Sequence, residues 1–550
     1  MSERVPPGDH LHGLDADPHR GEEIDFQSPG ERAPAQDART VRLRLLGFLG
    51  GLALAGAAYL LLPADLPPDG KLTAAVAILM GVWWMTEAIP IPATALVPLV
   101  AFPLWATDVT VSKVGASYGN DIIFLFMGGF LIALAMQRWN LHRRIALLTV
   151  RVMGTTSTRI VAGFMIATGF LSMWVSNTAT AVMMLPIGVS VLLLVATQAG
   201  RDTDGAPDGE GQAAGGLGAI DAATVDPQSS EVKDAIIQSN FGTALMLGIA
   251  YAASLGSLGT IIGTPPNTLL VGYLRDSFDI EIGFGQWMLV GVPIAVVFLV
   301  ITWVLLTQVL FRPEVKELPG GRELIDGELA KLGPMSTGEK RVLVIFVLAA
   351  VSWVAVPLLF DKPPISDSGI AIVAGLLLFM LPGGSARGVR LLDWDTATEL
   401  PWGVLLLFGG GLALSAQFTS SGLTKWIGSQ VGGLGVLPIV VVIAIITAGV
   451  LFLTELTSNT ATAATFLPVA GGVAMGLGVD PMLLAVPVAL SATCAFMLPV
   501  ATPPNAIAYG SGYVTVGQMV KGGFILNLIG IVLVTLTTTT LVVWVFGLTM

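Results

Sequence analysis

Two residue types that often carry chemistry are nearly missing from this chain of 550 residues: it has one cysteine, Cys494, and four histidines. A lone cysteine excludes an intrachain disulfide and any cysteine cluster for metal. His10, His12 and His19 lie in the first 36 residues, and His142 lies among arginines. The apolar segments therefore hold no Cys–His pair or metal-ligand set, which argues against an enzyme working within a membrane. Charge is scarce too, at 12% of residues, about half the ordinary ~25%. The net charge of −11 resides mainly in tails and loops, so it points to no nucleic-acid partner. No short apolar core with a cleavage site opens the chain, so no signal peptide is expected.

What is abundant is hydrophobic sequence, at 54% of residues with a mean hydropathy of +0.79. Apolar runs at 45–62, 72–84, 122–136, 287–310, 342–360, 370–381 and 525–546 approach or exceed the roughly 20 residues that span a bilayer as helix. Strand alternation on the scale of a transmembrane barrel is absent. The fold class is an all-α polytopic membrane protein. We place eleven spans near 43–63, 72–89, 91–106, 120–150, 233–275, 286–311, 340–360, 367–382, 400–430, 481–513 and 520–547. Two further apolar segments, 157–198 and 437–477, are broken at their centres and read as re-entrant hairpins.

Those breaks carry a duplicated motif. Ser176-Asn177-Thr178 with Thr264-Pro265-Pro266-Asn267 in the first half matches Ser458-Asn459-Thr460 with Thr502-Pro503-Pro504-Asn505 in the second. The segments before the hairpins match as well, Leu125 to Gly129 against Leu406 to Gly410. Lipid satisfies no freed backbone group, so such breaks survive only inside protein or along a watery cavity. Corresponding breaks in two halves are the sequence mark of a secondary transporter's binding site. The expected organisation is a tail at 1–41 of disordered composition, a first helix within 42–71, one repeat at 72–312, a linker at 313–339 and a second repeat at 340–550. A Gly-, Asp- and Ala-rich insertion at 199–232 interrupts the first repeat and reads as a flexible loop.

Lys and Arg in short loops set the orientation. Arg39, Arg42 and Arg44 place the N-terminus in the cytoplasm of a cell bounded by the inner (cytoplasmic) membrane. Counting spans then places the arginine-rich loops at 138–151, 312–341 and 387–390 inside and the C-terminus outside. The two hairpins enter from opposite faces, giving an inverted-topology repeat.

A helix begun inside the membrane aims unpaired N–H groups and a positive dipole end at the break. A helix stopped there offers carbonyl oxygens. The first environment suits a carboxylate and the second a hard cation. The motifs contain no Lys or Arg, so a bound cation would supply the missing positive charge, which is a physical reason for coupling anion entry to cation entry. Gly128, Gly129 and Gly409 to Gly411 read as close helix packing, and Trp83 and Trp84 as interfacial anchors. Glu87 and Glu455 lie near helix ends within apolar sequence, where a capping or structural role outweighs proton coupling.

The strings Trp83 to Pro90 and Thr454 to Ala463 resemble signatures of the divalent anion:sodium symporters, and the resemblance covers the chain from about Arg42 to its end. It implies two sodium sites. The first would use Ser172, Ser176, Asn177 and the backbone at Gly263, and the second Thr454, Ser458, Asn459 and the backbone at Ala501. It implies a substrate held among Ser176, Asn177, Thr178, Ser458, Asn459, Thr460, Thr502 and Pro503. It also implies a homodimer in the lipid bilayer, an elevator motion, and sodium-coupled symport of a C4-dicarboxylate such as succinate, malate or fumarate. A sodium-independent dicarboxylate exchanger, or a symporter of sulfate or citrate, is the alternative within transport. An ion channel is the alternative from another class.

Overall fold

The computed structural model describes residues 37–203, 237, 239–315, 317, 320–360, 362–430 and 436–549. The expectations for the N-terminal tail and for most of 199–232 fall outside these residues. In chain order the principal helices are α1 (Ala38–Leu61), α2 (Pro68–Thr86), α3 (Asp121–Arg138), α4 (Ser157–Ser172), α5 (Asn177–Thr203), α6 (Asn240–Gly256), α7 (Pro265–Phe278) and α8 (Phe284–Val304). The second half continues with α9 (Thr337–Leu359), α10 (Asp367–Met380), α11 (Trp402–Ser420), α12 (Ile439–Thr454), α13 (Asn459–Leu477), α14 (Met482–Thr493), α15 (Pro503–Gly510) and α16 (Val516–Thr537). Among the described residues, eight helical segments are long and apolar enough to cross a bilayer on their own. Among the described residues no strand exceeds an isolated bridge.

The expected spans at 120–150 and 400–430 are each two helices. Asn140 takes a left-handed backbone (φ 56°) after α3, and Gly422 does so (φ 79°) after α11. A left-handed residue ends an α-helix, and the chain turns into the short helices Leu141–Met153 and Leu423–Gln430. The first carries Arg143, Arg144 and Arg151 over a buried face of Leu141, Ala146, Leu147 and Val150, so it lies along the surface and does not continue the span. The helix α5 runs on to Thr203, so the first residues assigned to the insertion are helical.

Burial sorts the helices by role. Every residue of α14 and every residue of α6 after Asn240 is buried, whereas α1 exposes Leu45, Leu46, Leu49, Leu60 and Leu61, as a lipid-facing helix must. The packing glycines sit where two backbones meet. A Cβ at Gly128 would lie 2.6 Å from the Ala371 carbonyl carbon, and one at Gly410 would lie 2.4 Å from the Ala95 carbonyl oxygen. Trp83 and Trp84 are not interfacial anchors. They are 8% and 1% exposed, with Trp83 stacked on Phe48 and Trp84 Nε1 donating to the Ile91 carbonyl at 3.2 Å. The anchoring signal failed because α1 and the 91–94 turn cover these rings. Glu87 is the exposed left-handed cap of α2, 3.8 Å from Arg44.

The connecting loops gather into two sets. In one, Arg144 pairs with Glu339 at 2.5 Å, Arg341 reaches the Pro382 carbonyl, Trp139 Nε1 donates to the Leu391 carbonyl, and Ser157 donates to the Val315 carbonyl. In the other, Arg275 joins Asp121, the Phe284 amide donates to Asp367 at 2.9 Å, and Trp426 donates to Asp65 at 3.2 Å. The α4–α5 hairpin is rooted in the first set through Ser157. The α12–α13 hairpin is rooted in the second, because Gly476 packs against Gly428 beside Trp426. The hairpins thus enter from opposite ends.

The Arg144–Glu339 pair fixes the linker to the first half. Glu339 is 3% exposed and also caps α9 by accepting from the Ser336 amide at 3.2 Å. Replacing Arg144 by Ala leaves a buried carboxylate without its cation, a loss of roughly 3–5 kcal/mol. Thermal unfolding in detergent should show a melting temperature lowered by several degrees. An unchanged melting temperature would remove this pair from the account of how the halves are joined.

Candidate functional site

Four chain breaks converge at the centre. The tips of both hairpins and the interruptions after α6 and α14 line one cavity of about 850 Å³, with Ser176, Asn177, Thr178, Gly263 and Thr264 from the first half and Ser458, Asn459, Thr460, Ala501, Thr502 and Pro503 from the second. Every residue expected to touch substrate lies on this wall. The two halves also touch directly, since the Thr264 and Thr493 hydroxyls are 3.3 Å apart.

Local chemistry explains each break. Helices α7 and α15 both begin Pro-Pro, at positions where the N–H would be unpaired in any case. The prolines remove those donors, so the free N–H groups facing the cavity come from the hairpin helices α5 and α13, which begin at Asn177 and Asn459. One of them is already used, because Ser176 Oγ accepts from the Ala179 amide at 3.2 Å. The asparagine closing each Thr-Pro-Pro-Asn motif is a staple. Asn267 Nδ2 donates to the Leu258 and Thr260 carbonyls at 3.3 and 2.9 Å, and Asn505 Nδ2 donates to the Ala495 and Leu498 carbonyls, both at 3.2 Å. Each staple holds an unwound segment to the helix that follows it.

Ser172 and Thr454 stand behind the cavity wall, both fully buried. Ser172 Oγ donates to the Ala253 carbonyl at 2.5 Å. Thr454 Oγ1 lies 2.9 Å from the Ala492 carbonyl and 2.8 Å from Asn459 Oδ1. Each hydroxyl ties a hairpin to the broken span of its own half and keeps lone pairs for a cation. Asn177 Nδ2 donates to Ser257 Oγ at 3.3 Å, while Asn177 Oδ1 is buried and accepts no hydrogen bond. A buried acceptor without a donor is costly unless something positive meets it. Gly263 is required by space, since a Cβ there would lie 2.3 Å from the Ser257 carbonyl oxygen.

The cavity wall contains no Lys, Arg or His, and its only carboxylates are Glu87 and Glu399, both exposed. An anion held here meets hydroxyls, amides and helix ends. Sequence reasoning missed the rest of the wall, which includes Trp84, Phe126, Phe130, Gln137, Pro401 and Val404. These come from α2, α3 and the segment entering α11, where no polar break marks the sequence. The Gly-Gly pairs of α3 and α11 were the available hint of closely packed helices there.

A family model described as the sodium:sulfate symporter transmembrane region matches residues 49–548. A protein of Staphylococcus saprophyticus named sodium-dependent dicarboxylate transporter SdcS is 42% identical over 512 residues, which is 92% of this chain and 92% of that one. The protein of the same name from Staphylococcus aureus strain bovine RF122 / ET3-1 is 44% identical over 501 residues, 89% of this chain and 90% of that one. Among solved structures, the YdaH transporter of Alcanivorax borkumensis aligns over 92% of this chain and 98% of its own, with a TM-score of 0.50 and 12% identity, a likeness of fold. With the match running through both halves and both duplicated motifs, the chain belongs to the divalent anion:sodium symporter family.

Proposed function

We propose that this chain is a sodium-coupled symporter of C4-dicarboxylates such as succinate, malate and fumarate. The observation that carries the reading is a cavity lined by two copies of Ser-Asn-Thr with no cationic side chain. Two inversion-related sets of hydroxyl and amide donors match a ligand with a carboxylate at each end. The positive charge that a dianion needs must then arrive with it. Sodium at Ser172, Ser176, Asn177 and the Gly263 backbone, and at Thr454, Ser458, Asn459 and the Ala501 backbone, supplies that charge beside the anion. The names of the SdcS relatives support the same substrate and ion.

The protein resides in the cytoplasmic membrane as a homodimer, with the N-terminus inside and the C-terminus outside. The loop set rich in Arg138, Arg143, Arg144, Arg312 and Arg341 supports that orientation. The repeats at 72–312 and 340–550 move their hairpins and broken spans as an elevator against the remaining helices. Single cysteines at Gly327 and Asp279, on a Cys494→Ala background, should label from the cytoplasmic and outer sides respectively. Labelling of both from one side would sink the orientation.

Uptake of labelled succinate into proteoliposomes should require sodium and should fail in potassium or choline. Butyrate, nearly the same size but with one carboxylate, should hardly compete, because a site built to pair a polar group rejects analogues lacking it. Asn177→Ala or Asn459→Ala should raise the sodium concentration for half-maximal uptake by roughly 5–150-fold, the range of 1–3 kcal/mol. Thr460→Val should weaken succinate while the protein still folds. Uptake that is indifferent to sodium would favour the exchanger, and competition by sulfate alone would redirect the assignment to inorganic anions.

A further inference from the structure

Among the described residues two charged side chains are buried, Glu339 and Glu455, each 3% exposed. Glu339 has Arg144. Glu455 forms no ion pair among the described residues, although it lies three positions before Ser458 at the end of α12. Its Oε1 accepts from the Phe496 amide at 2.7 Å, the Met497 amide at 3.0 Å and Asn527 Nδ2 at 2.7 Å. Its Oε2 accepts from the Met497 amide at 3.1 Å and the Leu498 amide at 3.2 Å. It accepts at every contact, from three backbone amides and one side-chain amide.

The amides it collects are those released where α14 ends. The segment then continues through the Leu498 carbonyl, which accepts from the Ala501 amide at 3.2 Å, to the cavity wall. Fixing three consecutive N–H groups fixes their peptide planes, and with them the directions of the neighbouring carbonyl groups. The first half does the same task without charge. There the position matching Glu455 is Met173, whose carbonyl accepts from Thr260 Oγ1 at 2.5 Å, and Trp287 Nε1 donates to the Leu258 carbonyl at 3.1 Å. The half-sites share a motif and differ by one buried negative charge.

We propose that Glu455 is a positioning residue that makes the two cation sites unequal. The second site, at Ser458, Asn459 and the 498–501 backbone, binds sodium more tightly than the first. A carboxylate without a cationic side chain, screened little by the surrounding protein, attracts a nearby cation far more strongly than it would in water. The same carboxylate holds the backbone that forms the site. The inference rests on the two-site reading of the proposed function.

The test is thermal stability of the full-length protein titrated with sodium at constant ionic strength in choline. Asn177→Ala leaves the second site intact and should be stabilised at a lower sodium concentration than Asn459→Ala, which leaves the first. The expected gap is roughly ten-fold, the effect of one charge-assisted interaction. Adding Glu455→Gln to each variant should close the gap by moving only the Asn177→Ala midpoint. Asn527→Ala, which removes one donor and keeps the charge, should narrow it partly and serves if Glu455→Gln does not fold. Equal midpoints for the two asparagine variants, or a gap that persists with Glu455→Gln or is untouched by Asn527→Ala, would overturn the proposal. If instead both asparagine variants respond to sodium as the unaltered protein does, the failure lies in the site reading itself.

Discussion

Hydrocarbon offers no partner to a backbone N–H or C=O group, and four of this chain's helix breaks meet at the central cavity within its apolar body. Each interruption is therefore matched by a specific satisfier. Pro-Pro removes donors at the starts of α7 and α15, Asn267 and Asn505 staple the unwound carbonyls, and Glu455 gathers three released amides. The need to keep these segments away from lipid also explains why α14 is buried along its whole length and α6 from Phe241 onward. The remaining helices are arranged around them, with their apolar faces turned outward to the bilayer.

Once the breaks are secured, what they leave unsatisfied is what the proposed site uses. The hairpin helices keep donors at their first turns. Asn177 Oδ1 keeps an acceptor with no donor. The cavity wall supplies hydroxyls and amides and no cationic side chain. Such a wall is poor at holding a dianion alone and poor at holding cations alone, and it suits the two together. Coupling in this account is a consequence of charge balance in a site with a low density of fixed charge.

Much of this was legible in the sequence because lipid imposes strict rules. The hairpins, the broken spans and their opposed entry follow from Ser176 to Thr178, Ser458 to Thr460 and the two Thr-Pro-Pro-Asn motifs. The cavity wall from α2, α3 and the start of α11 was not legible, since Phe126, Phe130 and Val404 look like any apolar residue of a span. The ends of α3 and α11 were missed because one left-handed residue, Asn140 or Gly422, turns the chain without interrupting its apolar composition. Trp83 and Trp84 were misplaced because composition does not reveal that α1 folds over them. The position of Glu455 is legible in the sequence but its partners are not, since they come from residues 41 to 72 positions away.

On the proposed function, the anion site is complete only when sodium is bound. Calorimetric titration of succinate into the purified protein tests it without any transport step. Saturable binding in sodium buffer and none at the same ionic strength in choline is the result expected. Equal succinate affinity in the two buffers would contradict the account, because the cavity wall would then hold a dianion without the cation.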